Sequence, residues 1–296
     1  MIFVIAGPTC SGKSSLAIRL ATAIDGEIIN GDAFQVYKEL NIGTAKPSIE
    51  ERKKVKHHLF DFISPCREYN VKDYQDDVRK VINELINQNK NIIIVGGTGL
   101  YQKAALYDFD FSEELEKVDM SDLSEMSNDE LYDYLKSIDE ESTKIIHQNN
   151  RKRVLRAIEI YRSSGKTKSE IIQAQTHKLI YDTRFIGLNI NREVLYQKIN
   201  ERVDKMISDG LLEEVKNLKN NYDVSKHAFQ AIGYKELIDY LDEKTNLEDA
   251  IELIKKHSRN YAKRQMTYFK NQLPMIWFDN VEDAYDYVMS EKNNRR

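Results

Sequence analysis

The sequence predicts an α/β protein, a parallel sheet flanked by helices and interrupted by a mostly helical insertion, and three observations predict it. Its apolar stretches are short runs without alternation, such as Ile2-Phe3-Val4-Ile5-Ala6 and Ile92-Ile93-Ile94-Val95, as expected of central parallel strands. Amphipathic helical patterns lie between them. From Asp108 to Glu141 there are fourteen Asp or Glu against two Lys, and from Lys144 to Lys178 nine Lys or Arg against two Glu. Such a split marks an inserted subdomain with an acidic outer part and a basic return. The expected division is a discontinuous core, residues 1–109 and 180–296, around an insertion at 110–179.

Composition narrows the function classes. A hydrophobic content of 41% supports a real core, and a formal net charge of -4 excludes a generic polyanion binder. Any nucleic-acid surface must therefore come from local clustering. No segment approaches the ~20 apolar residues of a membrane span, and the first apolar run leads into a glycine-rich loop and not a cleavage site. A cytoplasmic protein without a membrane partner is expected, and no protein partner is evident. Cys10 and Cys66 make neither a disulfide framework nor a CxxC pair and read as free thiols.

Taken in order, the strand at 2–6 runs into Gly7-Pro8-Thr9-Cys10-Ser11-Gly12-Lys13-Ser14, which is GxxxxGK[ST] between a strand and a helix. This is the context of a phosphate-binding loop, so the core is P-loop NTPase-like. Its glycines let backbone N–H groups converge on an anion, and the helix N-terminus adds partial positive charge. Lys13 brings a full charge, and the Ser14 hydroxyl suits a Mg²⁺ held by the same phosphates. Leu16, Ala17, Leu20, Ala21 and Ile24 keep helical spacing as far as Asp25-Gly26, and Glu27–Asn30 reads as the next strand. Asp32 sits just past it. Strand carboxyl ends line the ligand crevice of a parallel sheet, so Asp32 falls beside the phosphate loop, as a catalytic acid or as a turn residue. Residues 34–47 show no periodicity and few core residues, and read as a working loop. His57-His58 lacks ligands at metal spacing and reads as structural. Residues 59–63 are expected to be a strand. A helix whose start Asn70 or Tyr69 marks leads to the strand 92–95, which ends in Gly96-Gly97-Thr98, where many P-loop enzymes carry a metal-holding Asp. Here something needs to approach the backbone.

In the basic return, Val154, Leu155, Ile158 and Tyr161 share an apolar side while Arg153 and Arg156 stack on another face, either simply solvated or reserved for an anion. Residues 185–190 re-enter the core as a strand. Asn191 is the expected N-cap of a helix whose stripe is Leu195, Tyr196, Ile199, Val203, Met206 and Ile207, ending at Gly210. Arg192 opposes the macrodipole there, which suggests an anionic ligand. A further helix starts at Leu211, and Ala228-Phe229-Gln230-Ala231-Ile232-Gly233-Tyr234-Lys235-Glu236-Leu237 carries aromatic and glycine residues at another helix start. A long one from Leu247 carries Lys255, Lys256, Arg259, Lys263, Arg264 and Lys270 with Tyr261, Tyr268 and Phe269, a pattern that suits a phosphate backbone with unstacked bases. Residues 275–278 form a last strand, and 281–289 a closing helix. Two functions fit: an ATP-using small-molecule or nucleotide kinase, and a transferase whose loop holds another pyrophosphate compound and whose acceptor is nucleic acid. The basic patches favour the second.

Ordered motifs decide further. The phosphate loop, Asp32-Ala33-Phe34-Gln35-Val36-Tyr37 with Ile42-Gly43-Thr44-Ala45-Lys46-Pro47, His57-His58-Leu59, Gly96-Gly97-Thr98-Gly99-Leu100-Tyr101, Arg153-Val154-x-Arg156-Ala157-x-Glu159, Ala231-Ile232-Gly233-Tyr234-Lys235-Glu236 and Tyr261-Ala262-Lys263-Arg264-Gln265 together resemble the tRNA dimethylallyltransferase (isopentenyltransferase) family. The resemblance implies transfer of a dimethylallyl group from dimethylallyl diphosphate to N6 of the adenosine 3′ of the tRNA anticodon, with Mg²⁺. It implies Asp32 as general base or amine-orienting acceptor, with Lys13 and Thr98 at the reaction centre. Gly7, Thr9, Ser11, Gly12, Lys13, Ser14 and Arg192 would hold the diphosphate, Ser14 with the metal. Asp32, Gln35 and Thr98 would meet the extruded adenosine, and Arg153, Arg156, Lys263 and Arg264 the anticodon stem-loop backbone. The chain departs from the family's Asp-Ser-Met at Asp32-Ala33-Phe34, and from Pro-Asn-Asp at Gln148-Asn149-Asn150, where a weaker helix cap is expected. The acidic stretch is also short for the family.

Overall fold

Strands rich in Ile and Val on both faces have no polar side to show to water, so they go to the middle of a covered sheet. In the computed structural model, which describes residues 1–109 and 118–294, β1 (Ile2–Ala6), β2 (Gly26–Asn30), β3 (His57–His58), β4 (Asn91–Val95), β5 (Thr183–Leu188) and β6 (Ile276–Phe278) form one sheet. Its order is β3-β2-β4-β1-β5-β6, with every neighbouring pair parallel. β1 is buried along its whole length, and Ile5 lies between Val95 and Ile186 in the ladder. Each such side chain contributes about 1.5–3 kcal/mol by leaving water.

The helices in chain order are α1 (Lys13–Ala23), α2 (Ile49–Lys54), α3 (Val71–Asn87), α4 (Gly99–Leu106), α5 (Asn128–Ile138), α6 (Glu140–Thr143), α7 (Arg151–Ser164), α8 (Lys168–Ala174), α9 (Arg192–Ser208), α10 (Leu211–Asn221), α11 (Tyr234–Leu241), α12 (Leu247–Gln272) and α13 (Val281–Asn293). The chain divides into two units, Met1–Leu106 with Tyr181–Arg296, and Tyr107–Ile180. In the first, Leu16 and Leu20 of α1 and Ala284 and Val288 of α13 pack with Phe3, Ile28, Ile93 and Ile186 in one apolar cluster. Asn70 opens α3 with a capping box: its Oδ1 accepts from Asp73 N at 3.1 Å, and Asp73 Oδ2 accepts from Asn70 N at 2.8 Å.

In the second unit, Leu131 and Leu135 of α5 meet Val154 and Ile158 of α7. Asn150 does cap α7, accepting from Arg153 N at 3.3 Å, because an amide oxygen serves there as a carboxylate would. The Arg151 guanidinium adds support by donating to the carbonyls of Leu123 (3.1 Å), Ser124 (2.9 Å) and Met126 (2.6 Å). Residues 110–117 of the acidic stretch lie outside the described residues.

Two expectations change. The strand expected at 59–63 does not form, because Leu59 (φ 62°) and Asp61 (φ 53°) are left-handed and cannot continue a ladder. The segment instead bonds the loop beside it: Phe62 N and Ile63 N donate to Val36 O, both at 3.0 Å, and Lys38 N to Ile63 O at 2.8 Å. The loop at 34–47 also holds more core than its pattern suggests, since Val36, Tyr37 and Leu40 are fully buried.

Candidate active site

The carboxyl ends of β1, β4 and β2, neighbours in the sheet, open on one cavity of about 610 Å³. The phosphate loop supplies Thr9 to Ser14, the β2 end supplies Asp32, Phe34 and Gln35, and the β4 end supplies Gly96 and Gly97. Arg202 of α9 and Tyr261, Arg264 and Gln265 of α12 close it. A glycine loop running straight into α1 leaves helix N–H groups without helical acceptors, the ready-made condition for an anion.

On the phosphate side, Lys13 is half-buried, and its partial removal from water together with the Arg202 charge pushes its pKa down to about 8. Arg202 Nη1 donates to Thr9 Oγ1 at 2.8 Å and lies 3.8 Å from Cys10 Sγ, so it faces the loop. Gln265 ties the loop to the β4 end: its Oε1 accepts from Thr9 N at 2.9 Å, and its Nε2 donates to Gly97 O at 3.0 Å. A side chain at Gly97 would place its Cβ 2.1 Å from Gln265 Nε2, which explains the glycine at that strand end. Ser11 Oγ is buried with no partner among the described residues, a hydroxyl left over for a ligand oxygen.

On the facing side, Asp32 is held from beneath by a buried asparagine. Asn30 Oδ1 accepts from Asp32 N at 2.9 Å, and Asn30 Nδ2 donates to Asp32 O and Leu59 O, both at 3.0 Å. Burial raises the Asp32 pKa, against the lowering effect of the Phe34 and Gln35 backbone N–H groups and of the Lys13 and Arg202 charges. The carboxylate therefore shares the cavity with both cations, and burial outweighs their pull, so that its proton affinity stays above that of an ordinary aspartate. Thr98 Oγ1 accepts from Ala33 N at 3.1 Å and so steadies the turn that carries Asp32. Gln35 Nε2 donates to Thr44 O (2.9 Å) and Ala45 O (3.2 Å), leaving Oε1 as the end of its amide that can accept from a ligand.

The family model described as IPP transferase matches residues 35–272. The chain belongs to the IPP transferase family. Among its curated relatives in the family, a tRNA dimethylallyltransferase of Anoxybacillus flavithermus is 47% identical over 96% of this chain and 91% of its own length. Another, from Geobacillus thermodenitrificans, is 45% identical over 97% and 96%. Among solved structures, a tRNA isopentenylpyrophosphate transferase of Staphylococcus epidermidis superposes with a TM-score of 0.75 at 38% identity, covering 100% of this chain and 99% of that one. A eukaryotic dimethylallyltransferase acting on tRNA superposes with a TM-score of 0.83 at 31% identity, covering 99% of this chain and 77% of that one.

Within this IPP transferase fold, the residues expected from sequence separate into groups. Thr9, Ser11, Gly12, Lys13, Ser14, Asp32, Gln35 and Arg264 line the cavity. Gly7 and Thr98 are not among its lining residues, and the Thr98 hydroxyl is taken up by Ala33 N. Arg192 does not line it. It is exposed at the start of α9, its guanidinium 5.1 Å from the Tyr196 ring centroid, and the arginine that reaches the loop is Arg202, ten residues on. Lys263 is exposed on α12 away from the lining. In the other unit Arg153 and Arg156 are exposed on α7, Arg156 paired with Glu159 at 2.6 Å. Sequence reasoning missed Arg202, Gln265 and Asn30. The first two carry a common signal: each is a polar residue inside an apolar helical stripe, Arg202 between Ile199 and Met206, Gln265 between Ala262 and Phe269.

Proposed function

We propose that this chain transfers the dimethylallyl group of dimethylallyl diphosphate to N6 of the adenosine 3′-adjacent to the tRNA anticodon, releasing diphosphate. The observation that carries the reading is one cavity lined together by the phosphate loop with Lys13, by Arg202 and by Asp32, whose pKa burial raises. The N6 lone pair is delocalised into the purine, so attack needs a proton acceptor. Asp32 accepts the N6 proton as N6 bonds to the allylic carbon, and the carbon–oxygen bond breaks with its electron pair going to diphosphate. The phosphate loop, Lys13, the free Ser11 hydroxyl and Arg202 meet that growing charge. Arg202 takes the role that the resemblance assigned to Arg192. The adenosine has to leave its stack to reach Asp32, and Gln35 Oε1 is placed to accept from a base N–H. Arg264, with Lys263, Arg153 and Arg156, supplies charge for the stem-loop backbone.

Mg²⁺ fits this site as a companion of the diphosphate. Among the described residues no group of three or more His, Cys, Asp or Glu is gathered to hold a metal, and Mg²⁺ bound through phosphate oxygens and water needs few protein ligands. Ser14, at the mouth of the loop, would hold it, and its charge would offset that of the departing diphosphate. No described helix is long and apolar enough to cross a membrane, and a tRNA acceptor puts the work in the cytoplasm.

The test is an assay of purified protein with labelled dimethylallyl diphosphate, Mg²⁺ and bulk tRNA beside an ATP-hydrolysis control. Label appearing in tRNA as N6-isopentenyladenosine is expected. ATP turnover without prenyl transfer would overturn the reading.

A further inference from the structure

Two of the sequence motifs, Ile42-Gly43-Thr44-Ala45-Lys46-Pro47 and Ala231-Ile232-Gly233-Tyr234-Lys235-Glu236, have no role in the chemistry above, and they lie far apart in the chain. The structure joins them through one carboxylate that neither contains. Glu214 of α10 accepts from the backbone N–H groups of Asn41 at 3.2 Å, Ile42 at 3.0 and 3.1 Å, and Gly43 at 3.4 Å. Its Oε1 also accepts from the Tyr234 hydroxyl at 2.6 Å. Three successive N–H groups converging on an anion form a nest, and here the anion is a side chain of the protein itself. Tyr234 lies so close that a Cβ at Gly43 would sit 2.4 Å from its ring, so Gly43, Tyr234 and Glu214 require one another. The other end of α10 grips the same loop, where the Tyr222 hydroxyl donates to Glu39 Oε1.

What Glu214 holds is half of the cavity. Gly43, Thr44 and Ala45 line it beside Asp32, Phe34 and Gln35, and the Thr44 and Ala45 carbonyls fix the Gln35 amide. The segment has no helix or strand of its own to keep its shape. Left unheld, it would have to order itself each time an acceptor arrived, which lowers affinity without changing the bonds made to the acceptor.

We propose that Glu214 is the positioning residue for the acceptor half of the site. Its carboxylate pre-organises residues 41–45, and through them Gln35, to receive the tRNA adenosine, while the diphosphate half is independent of it. This rests on the proposed prenyl transfer to tRNA.

The experiment compares wild type, Glu214→Gln and Tyr234→Phe in steady-state transfer, with KM measured separately for tRNA and for dimethylallyl diphosphate, and with Tm. Glu214→Gln exchanges one accepting oxygen for an NH₂ that repels the donors around it. Its tRNA KM is expected to rise about tenfold or more, as for the loss of hydrogen bonds to a charged group. The diphosphate KM should stay within about twofold, since no bond from Glu214 reaches the phosphate loop. Tyr234→Phe, which keeps the ring against Gly43, should give the same split with a smaller rise. Unchanged tRNA KM in an active enzyme would overturn the inference, and so would parallel loss of both KM values with a fall in Tm, the mark of a merely structural residue. A wild type that transfers nothing would overturn the proposed function itself.

Discussion

The phosphate loop at 7–14 and the segment at 32–47 face the same cavity, yet they are made in different ways. The loop is eight consecutive residues that leave β1 and run into the first turn of α1, and two side chains from elsewhere, Arg202 and Gln265, complete it. The segment carries no helix or strand, and side chains from several elements hold it. Asn30 and Thr98 grip its start, Glu214 and Tyr222 its middle, and the nearly buried Lys46 turns back to Tyr37 O and Asp61. On the proposed function, the difference follows from the ligands that the two would hold. A phosphate asks for converging N–H groups, which local backbone supplies, whereas an adenosine edge asks for a few side chains at set positions on a wall that has to be built.

The largest effect should come from Asp32, where the two halves meet. Asp32→Ala is expected to lower kcat by about 10² to 10⁴, the usual share of acid–base catalysis, with tRNA affinity nearly intact in a binding assay. Unchanged turnover would remove Asp32 from the chemistry. Next comes a paired comparison on α9. Arg202→Ala should cost about 10² to 10³ in kcat/KM for dimethylallyl diphosphate, and Arg192→Ala should stay within about twofold, because only the first faces the leaving group. The opposite order would restore the role that the helix start suggested.

A pH profile probes both sides at once. As the proposed base Asp32 acts deprotonated, and its pKa is raised by burial, so the acid limb of kcat/KM should lie above that of an ordinary aspartate, with rate lost as pH falls through it. Lys13 acts protonated and its pKa is lowered, so the alkaline limb should fall near pH 8, with rate lost as pH rises. An alkaline limb above 10 would show that Lys13 is not desolvated in the free enzyme. The smallest effect should come from outside both halves. Arg153→Ala with Arg156→Ala is expected to weaken tRNA binding and flatten the slope of log K against log salt by about 0.9 for each phosphate no longer neutralised, leaving the diphosphate KM alone.

Legibility followed the same divide. The P-loop, the Asp32 strand end, the α3 cap at Asn70 and the α9 cap at Asn191 were readable because each depends on neighbours within a few residues. Residues 59–63 misled because Leu59-Phe60-Asp61-Phe62-Ile63 has strand composition while two left-handed residues turn it toward the 34–38 loop. Arg192 misled because a cation at a helix start is unfavourable in isolation. Here its guanidinium lies over the Tyr196 ring, 5.1 Å from the centroid, which offsets part of that cost.

The sequence by itself determined the parallel sheet, the position of the phosphate loop in it, the charged insertion and the family, since these rest on local pattern and ordered motifs. Only the tertiary structure decided which arginine of α9 faces the loop, that Gln265 ties Thr9 to Gly97, and that Glu214 joins two distant motifs. The reason is geometric. A helix presents its side chains by turn angle, and which side becomes the inner one is settled by the apolar burial of the whole domain, not by the residues on either side.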